Sequence, residues 1–496
     1  MTIRPRALAL FAGPLASIAL YFLLPGDYVD PAGHLVVLPD AARGAAAVGL
    51  WMAIWWLSEA IPVYATALLP LALFPLSGTA TMAEAADSYA HPLIYLFLGG
   101  FVLALALERW GVHRRLALAV LGRVGTKPSQ IIAAFMMISA FVSMWVTNTA
   151  TTIMLLPVAT SVLAMTGASA VDGDQHDNFS VCLLLGIAYA ASIGGIGTII
   201  GTAPNLFVVS FIESQTGMEI SFLRWMAIGV PLVLLFVPLT WWLLVRHTYT
   251  LSSGRFAGVA EELARQQERQ GPMDRGARLT VVVFCATALA WIMRPLISRL
   301  DVGGWQPFTG LTDAGIAILG ALALFVIPVS LRERHFLMDW QTAVRLPWGL
   351  LILFGGGLSL AAALDGSGFS AFLGSQVAAL HAVPELVLVG LMVALMIFLT
   401  ELTSNTATTA TLVPVMFAVA AGLGIDPLLL VVPAGIAASC AFMLPVATPP
   451  NAIVFGSGRV TVAQMSRAGL RLNLVGIVLI TGLAYAVVLP VLRMTR

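Results

Sequence analysis

Thr400–Pro414 reads TELTSNTATTATLVP, and Ser143–Pro157 reads SMWVTNTATTIMLLP. Aligned on Asn405 and Asn148, the two share N-T-A-T-T, a proline nine residues on, and a hydroxyl five residues before the asparagine (Thr400, Ser143). Further twins follow in the same order. Leu98-Gly99-Gly100-Phe101 precedes the first copy and Phe354-Gly355-Gly356-Gly357 the second; Gly201-Thr202-Ala203-Pro204-Asn205 follows the first and Ala447-Thr448-Pro449-Pro450-Asn451 the second. Three matched landmarks in one order indicate an internal duplication, with the twin asparagine stretches as two halves of one binding site.

The field around these polar stretches is apolar. Of 496 residues, 59% are hydrophobic and 10% charged, and mean hydropathy is +0.95. A soluble domain carries about 25% charged residues, so the composition indicates an integral membrane protein. Lipid leaves the backbone no solvent partner, which restricts a spanning chain to helices or a closed barrel. The apolar runs reach the roughly 20 residues that a helix needs to cross, and the short alternating segments of a barrel are missing. The expected fold is all-α, with about eleven transmembrane helices and two re-entrant hairpins. Net charge of +1 gives nucleic acid no electrostatic footing. Cys182, Cys285 and Cys440 stand alone in apolar runs, without a metal or redox spacing. No G-x-S-x-G, H-E-x-x-H or Walker sequence occurs, so the chain shows no sign of being an enzyme.

The hairpins follow from charge-free lengths. Residues 128–171 hold no charge, too many for one crossing, with polar residues midway. Residues 386–425 repeat this, with Glu401 the single charge. Re-entrant backbone is tolerated where protein buries it or a cavity solvates it. The runs Phe179–Ile212 and Pro427–Gly458 are broken at the proline–asparagine turns. The expected organisation is a first span and outer loop (1–43) and a first repeat (44–247) with its inner hairpin near 128–171. A connector (248–278) leads to a second repeat (279–496) with its outer hairpin near 386–425. The arginine-bearing segments 109–127, 246–278, 332–345 and 459–471 fall on one side. The positive-inside rule makes that side, with the N-terminus, cytoplasmic, and places the chain in the plasma (inner) membrane. The repeats are then inverted, as in secondary transporters with a midplane site.

Neither hairpin contains Arg or Lys. Helix N-termini at the breaks favour anions, yet a buried charge needs compensation. Either the substrate is neutral or cations travel with it. The oxygen-rich groups around Ser143, Asn148 and Gly201, and around Thr400, Asn405 and Ala447, suit a hard cation. Glu401, matched by Met144, is a candidate because intramembrane acids are rarely idle, either as a proton relay or as a structural pair.

At these residues the chain resembles the divalent-anion/sodium symporter family of dicarboxylate, citrate and sulfate carriers. The resemblance runs from Ser58-Glu59-Ala60-Ile61-Pro62 to Ala447-Thr448-Pro449-Pro450-Asn451. It implies a homodimer with a fixed scaffold and a moving transport domain, working as an elevator. It implies one Na⁺ site at Ser143, Thr147, Asn148 and Gly201 and another at Thr400, Thr403, Asn405 and Ala447. Substrate carboxylates would be held by Thr147, Asn148, Thr149, Ser404, Asn405, Thr406 and Pro449. Two departures stand out: Thr147 replaces the family's serine in the first signature, and Ala203 stands where the family often has proline. The expected function is Na⁺-coupled import of C4-dicarboxylates. A sodium-independent dicarboxylate exchanger and a sulfate or tricarboxylate carrier stay open.

Overall fold

Apolar runs punctuated by proline and glycine have little to form but interrupted helices. The structure, a computed structural model, describes residues 5–493 apart from 31–32, 124, 166–173, 252–255, 257, 302–303 and 378–381. Among the described residues, eight helices are long and apolar enough to cross a membrane, and shorter apolar helices accompany them. An expected span such as Phe179–Ile212 is divided into two helices, so helix number and span number differ. The all-α expectation takes one small correction. Asp27–Val29 pairs with Leu35–Val37, and Pro328–Ser330 with His335–Phe336, as two short antiparallel ribbons. Both ribbons lie in polar connectors, where backbone groups without a helix must find other partners.

Each charge-free stretch folds as helix, break, helix. The first consists of Pro128–Ser143 and Asn148–Met165; its expected end at Val171 lies outside the described residues. The second consists of Glu385–Thr400 and Asn405–Gly422. Proline opens the first at a helix N-terminus, where its missing N–H costs nothing. In each unit both arms pack on the helix that follows, Asp174–Gly195 in the first and Leu428–Ala438 in the second.

Those two supporting helices stop short and restart. Asp174–Gly195 resumes as Ala203–Thr216, and Leu428–Ala438 as Pro449–Phe455. Proline in the first turn of each restart presets its φ while denying a bond to the turn before. Ala203 therefore leaves the break intact, because Pro204 already occupies that first turn. A further helix then seals each break from behind, Phe222–Trp242 in the first half and Val462–Leu483 in the second.

The glycine landmarks are points of close packing. A Cβ on Gly99 would fall 2.6 Å from the Ala317 backbone, and one on Gly356 would fall 2.3 Å from the Ala67 carbonyl. Pro92–Arg109 and Trp348–Gly366 thus press against their neighbours and meet through Phe97 and Phe354, whose ring centroids are 5.5 Å apart. One continuous apolar core holds both halves. Ser58 ends the helix Asp40–Ser58, and Glu59 caps it in a left-handed conformation with φ 48°.

Candidate functional site

The two hairpin tips and the two helix breaks face one cavity of about 1380 Å³. From the tips it takes Thr147, Asn148 and Thr149, and Thr403, Ser404, Asn405 and Thr406. From the breaks it takes Gly201, Thr202 and Ala203, and Ala447, Thr448 and Pro449. Four helices therefore begin at its wall: Asn148–Met165, Ala203–Thr216, Asn405–Gly422 and the short Pro449–Phe455. The three long ones contribute the partial positive charge of a helix N-terminus and N–H groups without an intrahelical partner. The short one opens on Pro449 and Pro450, which have no N–H, and its Asn451 amide is capped by Thr448. Sequence segments more than two hundred residues apart meet here, as the twin motifs anticipate.

Ser143 and Thr400 lie behind this wall, with no exposed surface. Each hydroxyl donates to its own asparagine: Ser143 Oγ to Asn148 Oδ1 at 2.5 Å, and Thr400 Oγ1 to Asn405 Oδ1 at 2.7 Å. Thr400 Oγ1 also lies 3.1 Å from the Ala438 carbonyl. Thr403 differs, because its hydroxyl lies 2.8 Å from the Leu399 carbonyl and 2.6 Å from Thr408 Oγ1. Thr147 Oγ1 accepts from the Ala150 amide at 3.3 Å and caps its helix.

In the first half, oxygens crowd the open face of Gly195. A Cβ on Gly195 would lie 2.6 Å from Asn148 Oδ1 and 3.1 Å from the Gly201 carbonyl. Asparagine and carbonyl oxygens converge over a glycine that carries no methyl. Such side-chain and carbonyl oxygens are the usual donors for Na⁺ at broken helices. In the second half Thr400, Asn405 and the Ala447 region likewise present oxygens.

Two asparagines hold the breaks open. Asn205 Nδ2 lies 3.0, 3.2 and 2.7 Å from the carbonyls of Gly195, Ile196 and Thr198. Asn451 Nδ2 reaches the equivalent Ala441 and Leu444 carbonyls at 3.2 and 3.1 Å. The sequence marks both residues as landmarks; their work is to satisfy carbonyls that the missing helix leaves free. Behind them, glycines admit the sealing helices. A Cβ on Gly229 would lie 2.4 Å from the Ile196 carbonyl, and one on Gly469 2.3 Å from that of Phe442.

Glu401 is a clasp in this structure. Its carboxylate accepts from the amides of Phe442 (2.7 Å), Met443 (2.9 and 3.0 Å) and Leu444 (3.1 Å) and from Asn473 Nδ2 (2.8 Å). Of the two sequence readings, structural pairing describes this geometry. Asn473, an amide in the middle of helix Val462–Leu483, is the signal that sequence reasoning passed over.

The mouth of the cavity is charged, which the sequence does not announce. Arg109 and Arg345 line it with Glu59 and Glu108. Arg109 Nη1 pairs with Asp339 Oδ2 at 2.5 Å. The Thr342 amide, with Arg109 beside it, holds the Asp339 carboxyl below its usual range. The absence of cations from the hairpins thus holds for the polar floor and not for the whole cavity. Glu59 belongs to the 58–62 stretch, but no motif spacing marks Glu108, Arg109 or Arg345; packing of Pro92–Arg109 against the 339–350 segment brings those three in.

A family model described as "Sodium:sulfate symporter transmembrane region" matches residues 18–492. The sodium-dependent dicarboxylate transporter SdcS of Staphylococcus saprophyticus is 37% identical over 488 residues, 97% of this chain and 91% of that one. Its namesake from Staphylococcus aureus strain USA300 is 37% identical over 491 residues, with the same shares covered. Among solved structures, the Alcanivorax borkumensis YdaH transporter is similar with a TM-score of 0.61 and 14% identity. That match covers 97% of this chain and 98% of the YdaH chain, and it concerns the fold alone.

Proposed function

The chain belongs to the sodium:sulfate symporter family, and from that premise we propose that it is a sodium-coupled importer of C4-dicarboxylates such as succinate, malate or fumarate. The observation that carries this reading is the convergence of three long-helix N-termini on one cavity whose floor of hairpin tips and helix breaks supplies no Arg or Lys. Such a floor attracts a carboxylate and leaves its charge to be balanced by ions that travel with it. The 37% identical relatives named as sodium-dependent dicarboxylate transporters support the same cargo.

In this reading Asn148 and Asn405 each serve two cargoes. Their Oδ1 atoms face the cation donors Ser143 and Thr400, and their amide groups are left to meet a carboxylate. Thr147, Thr149, Ser404 and Thr406 add hydroxyls, and Pro449 shapes the wall. One cation takes Ser143, Thr147, Asn148 and Gly201; the other takes Thr400, Thr403, Asn405 and Ala447. The family resemblance supports a homodimer that moves this site past a fixed scaffold, elevator fashion, with the N-terminus inside the plasma membrane. With that orientation, the mouth bearing Arg109 and Arg345 opens to the cytoplasm.

The test is labelled succinate uptake into proteoliposomes across a Na⁺ titration, with the membrane potential clamped. Uptake should require external Na⁺. A dianion moving with two Na⁺ is electroneutral, whereas with a third it carries one net charge, which gains ~2.3 kcal/mol per 100 mV of inside-negative potential. Uptake indifferent to Na⁺ and driven only by internal dicarboxylate would replace this reading with the exchanger. Competition by sulfate or citrate at equal concentration decides the anion class.

A further inference from the structure

Aligned on Asn205 and Asn451, the two breaks differ in where the preceding helix stops. It ends at Gly195, ten residues before Asn205, and at Ala438, thirteen residues before Asn451. Near one helical turn more is unwound in the second half. In the first half, the Ile196 and Gly197 amides still donate to Ile193 and Gly194 carbonyls, at 3.1 and 2.9 Å. The equivalent Phe442 and Met443 amides, with that of Leu444, donate to Glu401 instead. Without that carboxylate one buried and two part-buried N–H groups would lose their partner.

Glu401 sits between Thr400 and the loop, and the loop is gripped on both faces. Its amides are held by Glu401, and its Ala441 and Leu444 carbonyls by Asn451. The Ala447 amide donates to the Leu444 carbonyl at 3.2 Å, so Ala447 hangs from the gripped segment. Asn473 anchors the carboxylate from the sealing helix and is itself fully buried. The first half has no carboxylate in this place: Met144 stands at the position of Glu401, and Val233, four residues after Gly229, at that of Asn473. There the Thr198 hydroxyl donates to the Met144 carbonyl and the Trp225 indole to that of Ile196.

We propose that Glu401, anchored by Asn473, is the positioning residue of the second cation site, registering the tip that supplies Thr400 and Asn405 against the loop that supplies Ala447. This rests on the reading of that site as a Na⁺ site. Glu401 does not touch the ion; it fixes the distance between ligands from two separate elements. The first cation site has no carboxylate brace; its tip and loop are joined by the neutral hydrogen bond from the Thr198 hydroxyl to the Met144 carbonyl.

The test uses the full-length protein, with Glu401→Gln, Glu401→Asp and Asn473→Ala. Outer residues that orient metal ligands typically cost about 10–100-fold in affinity when lost. Glu401→Gln should therefore raise the Na⁺ concentration for half-maximal succinate uptake by about tenfold or more, while the succinate KM at saturating Na⁺ stays unchanged. Asn473→Ala should shift it in the same direction by less, and Glu401→Asp should recover part of the loss. Hydrogen exchange without succinate supplies a readout independent of transport. The amides of Phe442, Met443 and Leu444 should exchange faster in Glu401→Gln, and those of residues 196–198 should not.

Unchanged Na⁺ dependence and unchanged 442–444 exchange in Glu401→Gln overturn the positioning role. If that variant fails to fold, Asn473→Ala decides by the same two readouts. Wild-type uptake that ignores Na⁺ overturns the sodium reading itself, and with it this site. That outcome is distinct from a sodium-driven wild type whose variant keeps its Na⁺ affinity.

Discussion

The two half-sites carry the same motif and differ in what stands behind it. Asn148 and Asn405 each take a hydroxyl hydrogen bond from five residues back, and Asn205 and Asn451 each tie the carbonyls of a broken helix. Around this shared frame the second half is the more polar. Glu401 replaces Met144, Asn473 replaces Val233, and Thr403, paired with Thr408, replaces Val146. The Thr151 hydroxyl, equivalent to Thr408, is buried with no hydrogen-bond partner among the described residues. The groups that face the cavity are thus alike in the two halves, while the supporting layer differs. A cavity-facing group answers to the cargo, whereas a supporting group answers only to its own neighbours.

The comparison is broken most directly at the asparagines. Asn148→Ala and Asn405→Ala should each reduce succinate uptake by on the order of 100-fold, the loss expected for ~3 kcal/mol of hydrogen bonding to a charged group. The two losses should be alike, with folding retained in detergent. One fast-transporting variant would show that the cargo uses a single half.

A smaller effect sharpens the difference between the breaks. Asn205 binds three carbonyls and Asn451 two. Asn205→Ala should therefore lower the melting temperature more than Asn451→Ala, at about 1–3 kcal/mol for a buried group left unpaired. The reverse order in a thermal-shift assay would mean that Glu401 makes the second loop the more dependent on its asparagine.

Gly229→Ala and Gly469→Ala come next. Each methyl would overlap an equivalent loop carbonyl, at 2.4 and 2.3 Å, and overpacking of this kind costs about 1–3 kcal/mol. The rigidly held second loop has less freedom to yield, so Gly469→Ala should raise the Na⁺ half-saturation more than Gly229→Ala. Equal shifts would place the two loops on the same footing.

The smallest effect belongs to the residues before the asparagines, Thr147 and Ser404. Thr147→Ser and Ser404→Thr change one methyl, worth ~0.8 kcal/mol. The succinate KM should move by no more than about fourfold in either variant. A larger change would mean that this methyl shapes the cargo pocket rather than its wall.

The sequence by itself determined the class of the molecule and the paired character of its site. A chain with so few charges must bury its backbone in helices, and polar motifs repeated in an apolar field must have partners to satisfy. The breaks were legible for the same reason, since proline and asparagine act within a turn or two of their own position. What only the tertiary structure decided is which distant groups meet. Arg109 and Arg345 come to the cavity mouth through the packing of separate helices, and nothing local to either arginine records that. Glu401 was visible as a charge, but its three amide donors lie forty residues on and its amide anchor seventy-two. Its role depends on how far the second helix unwinds, which is set by partners that only the folded chain brings within hydrogen-bond reach.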